Sequence, residues 1–429
     1  MNTLPRARSG ALAALRHRDF ALFWSAALLS NAANWMQQFT VPFIMYEMTA
    51  SNTWVGAAAF TSLFPAVGLA PVAGVLADRF SRQRVMVITL WVHTLVCVAF
   101  AVLWMTGELT PWRILGLNLL IGIALGIQAS SWQALVPLLV PASSLLSAIR
   151  LNSAQFTASR AIGPLTGAAL LRFVGAGSVF VTNAATYALL IVVLVAVRPR
   201  EVVPPVRQHL RAFLMAGLAF VRRRSALVQA VTTGFAMAYF GGALLHLAAG
   251  LASEDFKVGE TGLAGLITAA GVGSVIGSTL IIAYGDRFDR SRVARWGLGL
   301  YAAAPLLAAA TTSYAVGLTG YFVSGVAHVC VAISMNAAIQ SQVTEEMRGR
   351  AISLYIMGVF AGWPLGALVG GWIGDHVGLR LVFAINGLML VGYLVAIHIR
   401  WDGLRSIDAN RDLADQAAAD QPSPPGSTA

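Results

Sequence analysis

The sequence has few charged residues for its length and almost no lysine. Of 429 residues, 11% are charged and 57% are hydrophobic, whereas soluble domains carry about 25% charged residues. A chain of this composition cannot fold in water without exposing a large apolar surface, so the soluble, fibrous and disordered classes are excluded. The lipid bilayer is the solvent that the composition fits.

Cysteines and catalytic motifs are also scarce. Cys97 and Cys330 lie within apolar stretches, and the sequence has no spacing typical of metal ligands or of a disulfide framework. It has no Walker-type phosphate loop, zinc motif or nucleophile elbow. These absences predict a protein that is not an enzyme and needs no metal or other cofactor; a membrane enzyme or a non-transporting receptor stays an alternative.

The chain does contain a succession of long apolar runs. A helix that crosses a membrane needs about 20 mostly apolar residues, and twelve runs reach this length. The sequence therefore predicts an all-α membrane protein with twelve transmembrane helices. These helices are predicted at residues 21–46, 54–77, 85–106, 112–136, 146–171, 176–197, 226–250, 260–284, 293–312, 314–341, 350–373 and 380–399.

Basic residues are distributed unevenly between the segments that join these runs. With a cytoplasmic N-terminus, 23 of them fall in cytoplasmic segments and four fall outside. Because Lys and Arg concentrate in cytoplasmic loops, both termini are predicted to be cytoplasmic. The net charge of +11 then reflects topology and contact with the bilayer, and no nucleic acid partner is expected. The four outside residues are Arg113, Arg172, Lys257 and Arg380.

A polar central segment divides the chain into two parts. The predicted organisation is a cytoplasmic tail (1–20), a six-helix bundle (21–197), a central loop with a basic amphipathic helix (198–225), a second six-helix bundle (226–400) and a disordered tail (401–429). Motifs recur between the two bundles in the same order, which predicts a pseudo-symmetric pair. Asp78-Arg79-Phe80-Ser81-Arg82 is repeated as Asp286-Arg287-Phe288-Asp289-Arg290, and Phe180 to Asn183 is repeated as Phe383 to Asn386.

Two motifs resemble those of a known family. In Gly74 to Arg84, Asp-Arg follows a glycine by four residues and precedes spaced basic residues, which resembles the first signature of the major facilitator superfamily. Gly163-Pro164 and the four residues after it are similar to the Gly-Pro signature of its antiporter branch, although Ala168 replaces the last glycine.

Other stretches resemble bacterial exporters related to enterobactin and macrolide efflux proteins. They are 18–24, 34–37, 132–137 and 160–164. The resemblance implies a protein of the bacterial inner membrane that exports a drug-like or siderophore-like amphipathic molecule by proton antiport and alternating access, and a monomer is the default expectation. An importer of the same fold stays an alternative. Asn118 stands where many proton-coupled exporters carry arginine.

Arg160 is the most informative single residue, because it falls near the middle of the fifth apolar run. A charge there should face the bundle interior or a wet cavity. We expect it to contact the substrate or to organise a cavity at the midplane; an interhelical structural bond is the alternative. Further polar residues on helices expected to line this cavity are Asn34, Gln37, Gln38, Gln128, Trp132, Gln133, Asn152, Gln155, Tyr239, His246, His328, Asn336 and Gln340.

Two further groups are expected to serve conformational change. A carboxylate beside arginines at a helix end can form contacts in one state that break in the other, which predicts an ionic gating latch. Proline within a helix removes a hydrogen bond and bends the helix. The predicted latch comprises Gly74, Asp78, Arg79, Arg82, Arg84, Asp286, Arg287 and Arg290, and the predicted bends lie at Gly163, Pro164 and Pro364.

Overall fold

A computed structural model describes residues 12–199, 219–284, 287–343 and 345–400, without the side chains of 70–79, 130, 341, 345–350 and 400. These residues form twelve long helices, and no strand occurs among them. The predicted all-α fold is therefore confirmed, with helix ends within a few residues of the predicted ones. The helices are α1 (Arg18–Thr49), α2 (Asn52–Arg79), α3 (Arg82–Met105), α4 (Pro111–Leu135), α5 (Leu145–Phe173), α6 (Ala176–Ala196), α7 (Ser225–Asp255, in several pieces), α8 (Gly259–Tyr284), α9 (Arg290–Ala310), α10 (Tyr314–Gln342), α11 (Glu345–Val377) and α12 (Leu379–Arg400).

Nine of the described helices are long and apolar enough to cross a membrane by composition alone, and α1, α2 and α5 are not among them. The lower apolarity of α1 and α5 comes from the amides and the arginine that the sequence places within them. Large apolar side chains stay exposed on the outer flanks of other helices, as in Ile88, Val195 and Leu388. Such exposure is what contact with lipid requires.

Local sequence signals account for the tight connections between helices. The hydroxyl of Thr110 accepts a hydrogen bond from the backbone N–H of Arg113 at 3.4 Å, with Pro111 at the first helical position of α4. Ser81 caps α3 in the same way. Gly378, at a φ of 86°, separates α11 from α12, a left-handed conformation that glycine adopts without steric cost.

The two halves of the chain repeat the same helix packing. In the first half, α1 packs on α5, α2 on α4, and α3 on α4 and α6; in the second, α7 packs on α11, α8 on α10, and α9 on α10 and α12. Adding six to both helix numbers of a pair in the first half gives the corresponding pair in the second half. The halves meet along α2–α11 and α5–α8, which are equivalent to each other in the same way. The predicted pseudo-symmetric architecture is confirmed.

The helices alternate in direction, so the bundle has two ends. We call the end with the α1–α2, α3–α4, α5–α6, α7–α8, α9–α10 and α11–α12 connections the distal end, and the other the proximal end. The four basic residues predicted to be external, at 113, 172, 257 and 380, all lie at the distal end. The arginine distribution thus predicts that the distal end faces away from the cytoplasm.

The first described residues close part of the proximal end. A short 3-10 helix, Ala13–Arg16, precedes α1. The backbone N–H of Ala14 donates to the hydroxyl of Ser147 at 3.1 Å, and the ring of His17 shares a hydrogen bond with Ser144. The N-terminal segment is therefore tied to the start of α5. The predicted central loop lies mostly outside the described residues, which resume at 219 with one helical turn, and the tail 401–429 lies outside them altogether.

The contact between α1 and α5 depends on Gly163. A Cβ there would lie 2.5 Å from Cβ of Trp35 and 2.7 Å from the carbonyl oxygen of Ala32. We predict that Gly163→Ala lowers the thermal stability of the purified protein, because the helices must move apart, at a cost of about 1–3 kcal/mol. Gly116→Ala is the matched control, since nothing lies within 4 Å of its Cβ. Equal melting temperatures for the two variants would contradict this packing.

Candidate functional site

Arg160 lies between the two halves, near the middle of α5. It stands fifteen residues after Leu145, which is about 22 Å along the helix axis. Its guanidinium carbon lies 5.5 Å from the centre of the Trp35 ring on α1. The charge also lies within electrostatic range of Tyr301, His246 and His328 from the second half. A charge at this depth costs at least about 2.5–3.5 kcal/mol in lipid, so its inward position is strongly favoured.

Three aromatic side chains of the second half, His246, Tyr301 and His328, lie near this arginine. Together with Trp363, which contacts both histidines, they form what we call the aromatic cluster. His328 stacks on Trp363 with ring centres 5.9 Å apart and an angle of 28°. Tyr301 contacts His328 at 5.9 Å, and His246 contacts Trp363 at 6.3 Å. Helices α7, α9, α10 and α11 each supply one ring, so the cluster forms only when these four helices pack together.

An irregular stretch of α7 makes room for the cluster. Residues Met237–Gly241 form a π-helical turn, a feature often found at functional sites. A Cβ on Gly241 would lie 2.8 Å from Cζ of Tyr301, and one on Gly242 would lie 2.8 Å from Nε1 of Trp363. Two adjacent glycines thus let both rings press against the α7 backbone. The helix is interrupted again at Leu247, directly after His246.

A cavity next to this cluster lies between α1, α7 and α8. Its walls are mostly apolar, with the amide of Gln38 and the imidazole of His246 as the polar groups. Apolar walls with a few polar groups are the composition of sites for small organic molecules, and the cavity is small in this conformation, at about 30 Å³. The lining residues are Trp35, Gln38, Phe39, Pro42, Leu245, His246, Ala248, Ala249, Leu263 and Ile267.

Two of the predicted cavity residues lie inside the first half instead. The side-chain oxygen of Gln37 accepts hydrogen bonds from Asn183 at 2.7 Å and from Cys97 at 3.2 Å. Asn34 accepts one from the hydroxyl of Tyr187 at 3.3 Å. These amides join α1 to α3 and α6, as polar residues often do between membrane helices. Of the three predicted cavity residues on α1, only Gln38 lines the cavity.

The remaining predicted cavity residues occupy varied positions. Trp132 packs on Phe23 in the proximal core of the first half, with ring centres 5.2 Å apart. The amide of Gln340 donates to Asn336 one turn earlier, so both lie on one face of α10. Tyr239 stacks against Phe235 on α7. Gln128 and Gln155 are buried, Asn152 is half-buried and Gln133 is exposed.

The predicted proximal latch is only partly within the described residues. Asp286 lies outside them, and so do the side chains of Asp78 and Arg79 and the surroundings of Gly74. Of the described latch residues, Arg287 lies over the Tyr284 ring at 5.2 Å, and the backbone N–H of Arg84 donates to Ser81. Arg82 and Arg290 begin α3 and α9. The latch stays a prediction.

The predicted bends lie within intact helices. Pro164 is inside α5 and Pro364 is inside α11. Gly163 and Gly167 face α1, with Met36 packed against both. Gly362 and Gly366 on either side of Pro364 face the backbone of Tyr239 on α7. These glycine-proline segments hold each half together, whereas the halves themselves meet at other residues.

A polar seal between the halves at the distal end was not anticipated from the sequence. The carboxylate of Asp375, at the end of α11, accepts hydrogen bonds from the hydroxyls of Ser51 and Thr53 at 2.5 and 2.6 Å. It also accepts them from the backbone N–H groups of Asn52 and Thr53 at 2.6 and 3.0 Å. Asp375 therefore caps the N-terminus of α2 from the other half, where a negative charge is most favourable.

A second acidic residue of the seal, Glu254, acts beside the first. Its carboxylate accepts hydrogen bonds from the hydroxyl of Tyr46 at 2.5 Å and from the amide of Asn52 at 3.1 Å. Asn52 is 1% exposed and packs against Gly250 and Gly371, where a Cβ would collide with it. Gly250 thus makes room for the side chain of Asn52, and Gly371 makes room for its backbone.

The pseudo-symmetric seam, α5–α8, is closed at the same end. Arg172 at the end of α5 donates to the hydroxyl of Thr261 near the start of α8 at 3.2 Å. The hydrogen bonds between the halves in which both partners are described lie at the distal end. We call this set the distal seal. The Ser51-Asn52-Thr53 run is a sequence signal of a helix start, but no local pattern indicates that the cap comes from residue 375.

Comparison with known proteins identifies the family of the chain. The family profile of transmembrane secretion effectors, a branch of the major facilitator superfamily, matches residues 9–423. The chain belongs to this family. Macrolide efflux protein A of Streptococcus pyogenes is 20% identical over 410 residues, covering 87% of this chain and 93% of that protein.

Two further proteins are similar to this facilitator. The staphyloferrin A transporter of Staphylococcus aureus is 25% identical over 166 residues, which are 38% of this chain and 42% of that protein. The crystal structure of the nucleoside transporter NupG has a TM-score of 0.70 at 15% identity and covers 89% of this chain and 98% of that one. That likeness concerns the fold alone.

The distal seal of this facilitator depends on the charge of Asp375. Hydrogen bonds to a charged group contribute about 1.5–3 kcal/mol each, so we predict that Asp375→Asn opens the distal end. Distances between spin labels at Thr106→Cys and Thr312→Cys, in a background lacking Cys97 and Cys330, should gain a longer population. Glu47→Gln, at the same end but without a hydrogen bond to the other half, is the control. An unchanged distance distribution in Asp375→Asn would show that the seal does not depend on this residue.

Proposed function

We propose that this facilitator is a secondary active exporter of an amphipathic small organic molecule. The observation that carries the proposal is a cavity between the halves, beside Arg160 and the aromatic cluster, beneath a seal at the distal end. The arginine distribution predicts that this end faces outward. A substrate then enters from the cytoplasm and leaves when the distal seal opens and the proximal end closes.

The family and its relatives support the export direction. The matching profile describes secretion effectors, and a relative that spans most of the chain is a macrolide efflux protein. An amphipathic substrate suits the cavity, because its apolar walls carry the amide of Gln38 and the imidazole of His246, and the guanidinium of Arg160 lies against Trp35, one of the wall residues. Drug-like and siderophore-like molecules share this character.

Proton antiport is the coupling we propose. The eight acidic side chains that the structure describes all lie at helix ends or in loops. Within the described spans, His246 and His328 are the titratable imidazoles beside the site. His93 lies apart from the cavity, bonded within its own helix to the carbonyl of Thr89. The residue that carries the proton is therefore sought first among the two histidines of the aromatic cluster.

Import by the same fold is the second candidate. The fold itself is compatible with it, since the nucleoside transporter NupG shares it, and the cavity geometry does not depend on the direction of net flux. The direction measured in vesicles separates the two functions, because an exporter loads inside-out vesicles and an importer loads right-side-out ones.

The proposal predicts energised uptake of a labelled siderophore, macrolide or cationic dye into inside-out vesicles that contain the protein. A protonophore, which dissipates both the pH gradient and the membrane potential, should abolish it. Gly371→Leu should also abolish it, because its side chain would occupy the space of Asn52 and prevent distal closure. Gly392→Leu, with nothing within 4 Å of its Cβ, should transport normally. Uptake only into right-side-out vesicles, or no protein-dependent uptake of any compound, would contradict the proposal.

A further inference from the structure

The charge of Arg160 has no anionic partner among the residues that the structure describes. The described carboxylates are those of Asp19, Glu47, Glu108, Glu254, Asp255, Glu260, Asp289 and Asp375, all at helix ends or in loops. The two ion pairs among described residues, Arg113–Glu108 and Arg292–Asp289, are peripheral. A buried arginine is normally neutralised by a carboxylate or phosphate. No carboxylate among the described residues takes that position beside Arg160.

The described surroundings of Arg160 add hydrogen-bond donors and flat apolar faces but no negative charge. Each imidazole of the aromatic cluster, His246 and His328, has a ring N–H that can donate a hydrogen bond, and so does the indole of Trp363. Trp35 covers one face of the guanidinium at 5.5 Å. The amide of Gln38 is exposed in the adjoining cavity. The site therefore suits an acceptor-rich group attached to an apolar or aromatic body.

A cationic substrate is disfavoured by the same geometry. Like charges in a poorly hydrated site repel strongly, and the described part of the site has no carboxylate to offset Arg160. Cation–π attraction to Trp35 is already used by the guanidinium. A neutral substrate would leave the arginine without a counter-charge when the site closes.

We propose that the substrate of this site is an amphipathic organic anion. Its carboxylate, or another acidic oxygen group, pairs with the guanidinium of Arg160, and its apolar body packs against Trp35, Trp363 and the imidazoles. This inference rests on the proposed function, because it names the substrate class of the same cavity, but it concerns binding rather than the direction of flux.

The test compares two dyes with the same ring skeleton and opposite charge. Fluorescein is anionic and tetramethylrhodamine methyl ester is cationic, and their binding to the purified protein in nanodiscs is measured by fluorescence anisotropy. The wild-type protein should bind fluorescein at least about tenfold more tightly than the cationic dye. This charge preference needs no variant, so it does not depend on whether a mutant folds.

Variants then assign the preference to one residue. Arg160→Gln should weaken fluorescein binding about tenfold or more, a loss typical of an ion pair in a poorly hydrated site. Arg160→Lys, which keeps the charge but loses the bidentate geometry, should lie between wild type and Arg160→Gln. Arg150→Gln is the matched control, since Arg150 is exposed near the proximal start of the same helix, and it should bind as wild type does.

Several outcomes would overturn the inference. These are equal binding of both dyes, tighter binding of the cationic dye, no binding of fluorescein, or fluorescein binding that Arg160→Gln leaves unchanged. Different results would contradict the proposed function. Fluorescein binding without any protein-dependent export would retain the anion site and remove the exporter, whereas export of the cationic dye without fluorescein binding would retain the exporter and remove the anion site.

Discussion

The structure depends on how closely two helical bundles can approach each other at one end. In a membrane the hydrophobic effect does not drive helices together, because lipid tails are as apolar as the helix surfaces. Small residues and hydrogen bonds therefore decide where helices meet. At the α2–α11 seam a Cβ on Gly56 would lie 2.8 Å from the backbone of Ala367, and at the α5–α8 seam one on Gly271 would lie 3.0 Å from Cα of Ala161. Caps and amides complete both contacts at the distal end, and the cavity follows from this closure.

Closure at one end also makes the charge of Arg160 tolerable. A guanidinium in hydrocarbon is expensive, but one that faces a cavity between bundles keeps water or a bound anion beside it. An organic anion has a further consequence for energetics. Moving one negative charge outward across a membrane that is negative inside is favoured by about 2.3 kcal/mol per 100 mV. Export of an anion would thus draw on the membrane potential as well as on any proton gradient.

The sequence was sufficient for the fold but only partly for the site. Twelve apolar runs and the recurrence of Asp78-Arg79 at residues 286 and 287 predicted the repeat, because helix length and repeat order are properties of the chain itself.

Arg160, His246 and His328 were identified because a buried charge or imidazole is conspicuous in apolar sequence. Trp35 and Trp363 were not, since an aromatic residue in a membrane helix is unremarkable until its rotation is known. Gln37 was predicted to line the cavity but bonds to Asn183 inside the first half. Its neighbour Gln38, one residue further around the helix, lines the cavity instead. The distal seal escaped because Asp375 caps a helix more than 300 residues away.

The distal seal is closed in this structure, and we infer that the site opens toward the opposite side of the membrane. The most direct measurement is the reaction of Gln38→Cys, in a background without Cys97 and Cys330, with a membrane-impermeant thiol reagent added to either face of sealed vesicles. The account predicts labelling in inside-out vesicles, where the reagent meets the cytoplasmic face, and protection in right-side-out vesicles. Labelling only from the outer face, or equally from both, would contradict it.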